Sequence, residues 1–166
     1  MHSDTLHISA SRQVYTADER RRRDETVWTL VQGILAPVQF VVFLISLYLV
    51  ILYLLPGDGY AAATLSIVIK TLILLSIMVT GSIWEKVVFG KWLFAPSFFW
   101  EDVVSFGVIA LHLAYVAALA FGASPLVQMV IALAAYAAYV VNAVQFLAKL
   151  RLARRQAPRV PAGGAA

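Results

Sequence analysis

The stretch "VVFLISLYLVILYLL", Val41–Leu55, decides the fold class. It is apolar nearly throughout and does not alternate, whereas a membrane-spanning β-strand needs short alternating segments. Extended back to about residue 27, the run is long enough for a helix to cross a bilayer core, which takes about 20 apolar residues at about 1.5 Å each. Three further runs of the same kind follow, at about 60–83, 103–121 and 126–147. The chain as a whole is 61% hydrophobic and 13% charged, with a mean hydropathy of +0.82, against about 25% charged in ordinary soluble domains. The reading is an all-α integral membrane four-helix bundle.

Charge sets the expected orientation. Arg12 and Arg20–Arg23 precede the first run, and Lys149, Arg151, Arg154, Arg155 and Arg159 follow the last. Basic flanks stay in the cytoplasm, and an even number of spans puts both termini there together. The connectors at 54–60 and 121–126 carry no Lys or Arg and should face outward. The middle connector holds Lys86 and Lys91 and should face the cytoplasm. A nucleic-acid role for the Arg run is the weaker reading, because topology determinants of this kind are far commoner. The absence of Cys removes disulfides, thiolate metal sites and cysteine nucleophiles. No signal peptide is expected, since the first apolar run is too long and lacks a small-residue cleavage pattern.

Local signals organise the remainder. In "YTADERRRRDETVW" (15–28), Thr16 stands three residues before Glu19, a capping box that starts a helix near Ala17. A continuous helix from there to Leu55 would be about 58 Å long, so its first part should lie at the membrane surface. Pro37 predicts a kink and Trp28 an interface anchor. Asp58 in "PGDGY" is a candidate cap for span two, Ser97 for span three, and Ser124–Pro125 for span four. Residues 1–13 and 153–166 read as disordered tails around one domain at 14–152.

Several polar residues fall inside the runs. Lys70 and His112 should share a depth near the middle of the bilayer, with no carboxylate nearby. For Lys70 the options are a buried site or proton path, or an interior lysine bonded to Thr, Tyr or backbone carbonyls. His112 is either a hydrogen-bonded core residue or a metal ligand. Gln32, Gln39, Asn142 and Gln145 either join helices or line a pocket opening to the cytoplasm. The Ala-rich face at Ala132, Ala134, Ala135, Ala137 and Ala138 suits close packing or a slot for a flat ligand.

The middle connector, "WEKVVFGKWLFAPSFFWED" (84–102), gathers three of the nine acids and three of the four tryptophans. If it folds back as a re-entrant or interfacial segment, Glu85 from the end of span two meets Glu101 and Asp102 at the start of span three. Phe89, Trp92, Leu93, Phe94, Phe98 and Phe99 would then form an aromatic floor beside them. The competing reading is an aromatic belt with solvated charges, which does not need acids at both helix ends.

Three segments, "TVWTLVQGILAPVQF", "MVTGSIWEKVVFGKWLFAPSFFWEDVVS" and "AAYAAYVVNAVQFLAKLR", resemble the 3-vinyl bacteriochlorophyllide hydratase family of bacteriochlorophyll biosynthesis. The resemblance covers roughly 14–152. It implies a multi-pass enzyme of the bacterial inner or intracytoplasmic membrane that adds water to the C3 vinyl group of chlorophyllide a or its bacteriochlorin form, giving the 3-(1-hydroxyethyl) product. It further implies a magnesium chlorin substrate whose metal comes with it, no separate cofactor, lipid as surroundings, and contacts with neighbouring pathway enzymes.

Hydration in Markovnikov order needs a proton donor, a base to hold water, and negative charge near the developing cation. Helix-end electrostatics favour Glu85 as the donor, and Glu101 or Asp102 as the ionised base. Lys86 and Lys91 are candidates for the substrate propionate. Trp84, Trp92, Phe98 and Trp100, with Gln39 and Asn142, are candidate substrate contacts, and His112 is the candidate for the substrate magnesium. Two other readings stand beside this one: a chlorin-binding or photosystem assembly protein without catalysis, and a small proton-coupled transporter using Lys70 and His112.

Overall fold

The computed structural model describes residues 13–156; the expectations for 1–12 and 157–166 lie outside the described residues. Among the described residues there are five helices: α1 (Ala17–Glu25), α2 (Val27–Leu54), α3 (Tyr60–Phe89), α4 (Phe99–Ala120) and α5 (Pro125–Arg155). The last four are long and apolar enough to cross a membrane. Only 17–28% of each apolar window is buried, so most of the greasy surface points outward, as a bilayer-embedded bundle requires.

Capping chemistry explains the breaks. Thr16 caps α1 with the full capping box: Glu19 N–H donates to Thr16 Oγ1, and Thr16 N–H donates to Glu19 Oε2 at 2.8 Å. The helix does not continue to Leu55. Thr26 turns extended, ends α1 and caps α2, its hydroxyl accepting from Trp28 N–H. Pro37 lies inside α2. Ser124 and Pro125 start α5 as expected.

Two cap assignments are corrected. Gly59, in the left-handed conformation (φ 89°), precedes α3 in place of Asp58, because the chain reverses direction there with a φ that favours glycine. Phe98 precedes α4 in place of Ser97, with no side-chain cap; the Ser97 carbonyl serves another purpose described below. The helices also outrun the apolar runs. α3 continues to Phe89 and ends on Gly90 (φ 78°), and α5 continues to Arg155, so residues 153–155 are helical and Ala153 is buried.

Short connections make α2–α3 and α4–α5 antiparallel hairpins, each closely packed within itself. The two hairpins touch less extensively, through α3–α4 and α2–α5, and α1 lies against α3. Their shared core includes Phe43, Ile67, Val108, Tyr115, Met129 and Tyr136. Within it, the Ser46 hydroxyl is 2.7 Å from Ser66 Oγ and 2.5 Å from the Tyr136 hydroxyl, which satisfies three buried polar groups with one another. A second cluster, of Val14, Tyr15, Val88, Phe98 and Ala153, sits at the end where α3 hands over to α4.

Candidate active site

The connector between α3 and α4 draws all three acids together. Glu85, Glu101 and Asp102 are 5%, 7% and 4% exposed. Glu85 and Asp102 come from different helices and are seated side by side by the connector. Each carboxyl also accepts a backbone donor from the connector: Phe94 N–H reaches Asp102 Oδ2 at 2.7 Å, and Ala95 N–H reaches Glu85 Oε2 at 3.2 Å.

Those two donors are consecutive, and Phe94 is the only non-glycine residue with positive φ (57°) among the described residues. A left-handed residue in a turn lets neighbouring N–H groups converge on an anion. The strain at Phe94 thus builds a concave backbone seat for the carboxyl pair. The Phe94 ring stacks on Phe106 (centroids 5.4 Å apart) and tilts against Phe99.

Glu101 has a different partner. Lys149, from the far end of α5, places Nζ 3.1 Å from Glu101 Oε1 and donates to the Ser97 carbonyl at 2.6 Å. Lys149 was legible only as a basic flank, yet Asn142, Gln145 and Lys149 recur at helical spacing on one face of α5, which is the signal that could have found it.

The aromatic residues divide. Trp84, Phe89 and Phe98 pack edge-on or tilted at 5.6–5.7 Å beside Glu85. Tyr15 closes them over, stacked on Phe89 at 5.7 Å with the Arg23 guanidinium 4.8 Å from its own ring. Burial pushes the Tyr15 hydroxyl up to about 12 against the pull of Arg23. Trp84 Nε1 donates to Thr29 Oγ1, fixing that ring to α2. Trp92 and Trp100 are instead exposed, at 60% and 68%. Lys86 turns away from Glu85: its ammonium donates to the Gly90 carbonyl and lies 5.9 Å from the Trp92 ring. Lys91 is exposed on the same connector.

The remaining candidates lie deeper. Gln39 is buried with both ends of its amide unpartnered. Asn142 donates to Ser105 Oγ at 2.9 Å, while its own oxygen has no partner. Lys70 is fully buried, and its ammonium bonds to no Thr, Tyr or carbonyl. It lies 3.9 Å from the Tyr139 ring centroid, with Tyr136 and Phe43 beyond, an aromatic cage. His112, also fully buried, bonds through Nδ1 to the Val108 carbonyl, and its Nε2 has no partner. A surface depression lined by Leu72, Leu75, Ser76, Val79 and Thr80 involves none of the acids. Among the described residues, no cluster of three or more His, Asp or Glu side chains could hold a metal ion.

A buried pair of carboxyls beside aromatic walls can, when one proton lies between them, protonate an apolar unsaturated substrate and then accept a proton from water. The comparisons with known proteins point the same way. A family model described as 2-vinyl bacteriochlorophyllide hydratase matches residues 15–152. The protein of that name from Cereibacter sphaeroides is 69% identical over 150 residues, covering 90% of this chain and 94% of the relative. The one from Rhodobacter capsulatus is 66% identical over 150 residues, covering 90% and 88%. No solved structure matches. With matches of this extent across all four long helices and the connector, the chain belongs to the 2-vinyl bacteriochlorophyllide hydratase family.

Proposed function

We propose that this chain hydrates the vinyl group on the first ring of a magnesium chlorin, the position numbered 2 in the older nomenclature and 3 in the systematic one, with Glu85 and Asp102 as the acid–base pair. The observation that carries the reading is the convergence of these two buried carboxyls, supplied by two helices and seated on consecutive backbone N–H groups.

The chemistry balances on that pair. The shared proton goes to the terminal vinyl carbon, forming a C–H bond from the π electrons and leaving a cation on the carbon next to the ring. The pair, now without its proton, lies beside that cation and stabilises it. Water oxygen bonds to the cationic carbon, and one of its protons returns to the pair. The net change is addition of water with no change of oxidation state.

The carboxyls are nearly enclosed, so substrate reaches them when the connector yields. Lys86 and Lys91, exposed beside it, suit the propionate at the chlorin edge. Trp92 and Trp100 suit the bilayer interface. The Arg-rich α1 and the basic end of α5 lie at the same end of the bundle as the connector, which supports a cytoplasmic orientation of that end and of both termini in a bacterial inner membrane.

A second reading of His112 is favoured by one observation. Its Nδ1 is committed to a carbonyl, which can only accept, so in the neutral ring the buried Nε2 carries a free lone pair of the kind a magnesium ion takes. Its difficulty is distance: His112 stands ten residues from Asp102, about 15 Å along the helix, while the metal sits at the ring centre. Unchanged chlorin affinity in His112→Ala removes this role.

The test of the function is direct. Membranes carrying the chain are incubated with chlorophyllide a or with its 3-vinyl bacteriochlorin form, and the pigment is followed by mass and absorbance. Gain of one water with loss of the vinyl group is expected. Binding without conversion would instead support the pigment-holding alternative, and vectorial movement without product would support the transporter.

A further inference from the structure

We infer that residues 14–25 form a strap over the carboxyl site that must swing away about Thr26 before a chlorin can enter; the inference rests on that site being where the chlorin reacts. The strap begins with Val14 and Tyr15, both buried in the cluster they share with Val88, Phe98 and Ala153. Tyr15 spans the two shoulders of the connector. Its ring stacks on Phe89, the last residue of α3, at 5.7 Å, and tilts against Phe98, the residue before α4, at 6.2 Å.

Phe98 leads directly to the acids. Its N–H donates to the Ala95 carbonyl at 2.8 Å, and Ala95 N–H in turn donates to Glu85 Oε2. While Tyr15 lies on Phe89 and Phe98, the connector is held down over Glu85 and Asp102. No vinyl group reaches carboxyls enclosed to that degree unless something moves.

What moves first is set by what holds each piece. The connector is fastened from beneath: the two carboxyls accept its N–H groups, and the Lys149 ammonium binds the Ser97 carbonyl. The strap is held more lightly. None of the nine residues of α1 is buried. Its outer end is latched to the C-cap of α5, where Val14 N–H donates to Gln156 Oε1 at 2.9 Å and Arg20 Nη2 to the Gln156 carbonyl at 3.2 Å, both only part-buried. Elements with few buried contacts open most readily.

The inner end is built as a pivot. Thr26 is extended (φ −82°, ψ 136°) between two helices, and hinges are residues of this kind at the ends of elements. Just beyond it, the Thr29 hydroxyl donates to the Arg23 carbonyl and accepts from Trp84 Nε1. That keeps the pivot on α3 while the outer end travels. Tyr15 stands eleven residues from Thr26, an arm of about 15 Å, so a rotation of about 20° carries its ring about 5 Å off Phe98. The connector is then free to yield over the acids.

The chain has no cysteine, so one introduced pair locks the strap in the full chain in membranes. Val14→Cys/Ala153→Cys joins the strap to α5 within one buried cluster and leaves the acids and the connector unchanged. Reduced, the variant should bind and turn over vinyl chlorin within about twofold of wild type. Oxidation to the disulfide should remove both binding and turnover in proportion to the fraction locked, and reduction should restore them. Locked protein that binds and turns over chlorin as its reduced form does overturns the inference. A bridge that merely distorted the acids would lower kcat and spare binding, so lost turnover with binding intact overturns it as well.

Should the first pair fail to accumulate or to close, Val14→Cys/Gln156→Cys is bridged with dibromobimane, whose fluorescence reports the bridge. The same loss is expected, and full binding by the bridged protein, or no bridge in either pair, overturns the inference. Loss of binding on locking, with no hydration by wild-type or reduced protein, would remove the hydratase reading and leave the strap as the gate to a chlorin-holding site.

Discussion

Replacing Asp102 by Asn separates chemistry from architecture. The Asn carbonyl can still accept the Phe94 N–H that now reaches Asp102 Oδ2 at 2.7 Å, and its NH2 takes the place of the other carboxyl oxygen. That contact survives, so the loss of stability should stay within about 1 kcal/mol, the usual net worth of one such bond. What disappears is the transferable proton between two carboxyls. General acid–base catalysis contributes about 10²–10⁴-fold, or roughly 2.7–5.4 kcal/mol of barrier. Because the lost interaction acts in the transition state, kcat should fall by that factor while KM stays near the wild-type value. Asp102→Ala differs: the Phe94 N–H loses its acceptor at a left-handed residue, and a further cost of about 1–3 kcal/mol in stability follows. The assay is turnover of the vinyl chlorin by purified protein in detergent, with thermal unfolding measured on the same samples. A folded Asp102→Asn protein turning over at more than a third of the wild-type rate would refute the acid–base assignment.

Other expectations concern single features. Lys70→Met should leave the protein at least as stable, gaining about 1 kcal/mol, because burying an unpaired lysine in a bilayer costs about 3 kcal/mol and the aromatic cage offsets about 2; a lower unfolding temperature would show that Lys70 has a partner outside the cage. Gly90→Ala should destabilise by about 1–2 kcal/mol from backbone strain alone, since an added Cβ meets nothing within 4 Å at φ 78°. Gly90→Asn, measured by the same thermal unfolding, should cost less than Ala, and equal stability of Ala and wild type would contradict the strain argument.

The sequence carried the all-helical class and the four helices long and apolar enough to cross a membrane, because run length against bilayer thickness needs no knowledge of neighbours. It also carried the α1 capping box and the Ser124–Pro125 start of α5, both of which are satisfied within one turn of chain. The gathering of Glu85 with Glu101 and Asp102 was legible as well, since a short connector leaves two helix ends little room to separate. Less legible were the caps at Gly59 and Phe98, where Asp58 and Ser97 offered equally good local chemistry and the reversal of the chain chose otherwise. Only the tertiary structure set Glu85 beside Asp102 and left Glu101 to Lys149, caged Lys70 in rings from α2 and α5, and spent the left-handed turn at Phe94 on seating two carboxyls. Local pattern fixes which segments are long and apolar enough to cross a bilayer. Which buried charge meets which depends on helices far apart in the chain, whose rotation and depth are settled only when the hairpins pack.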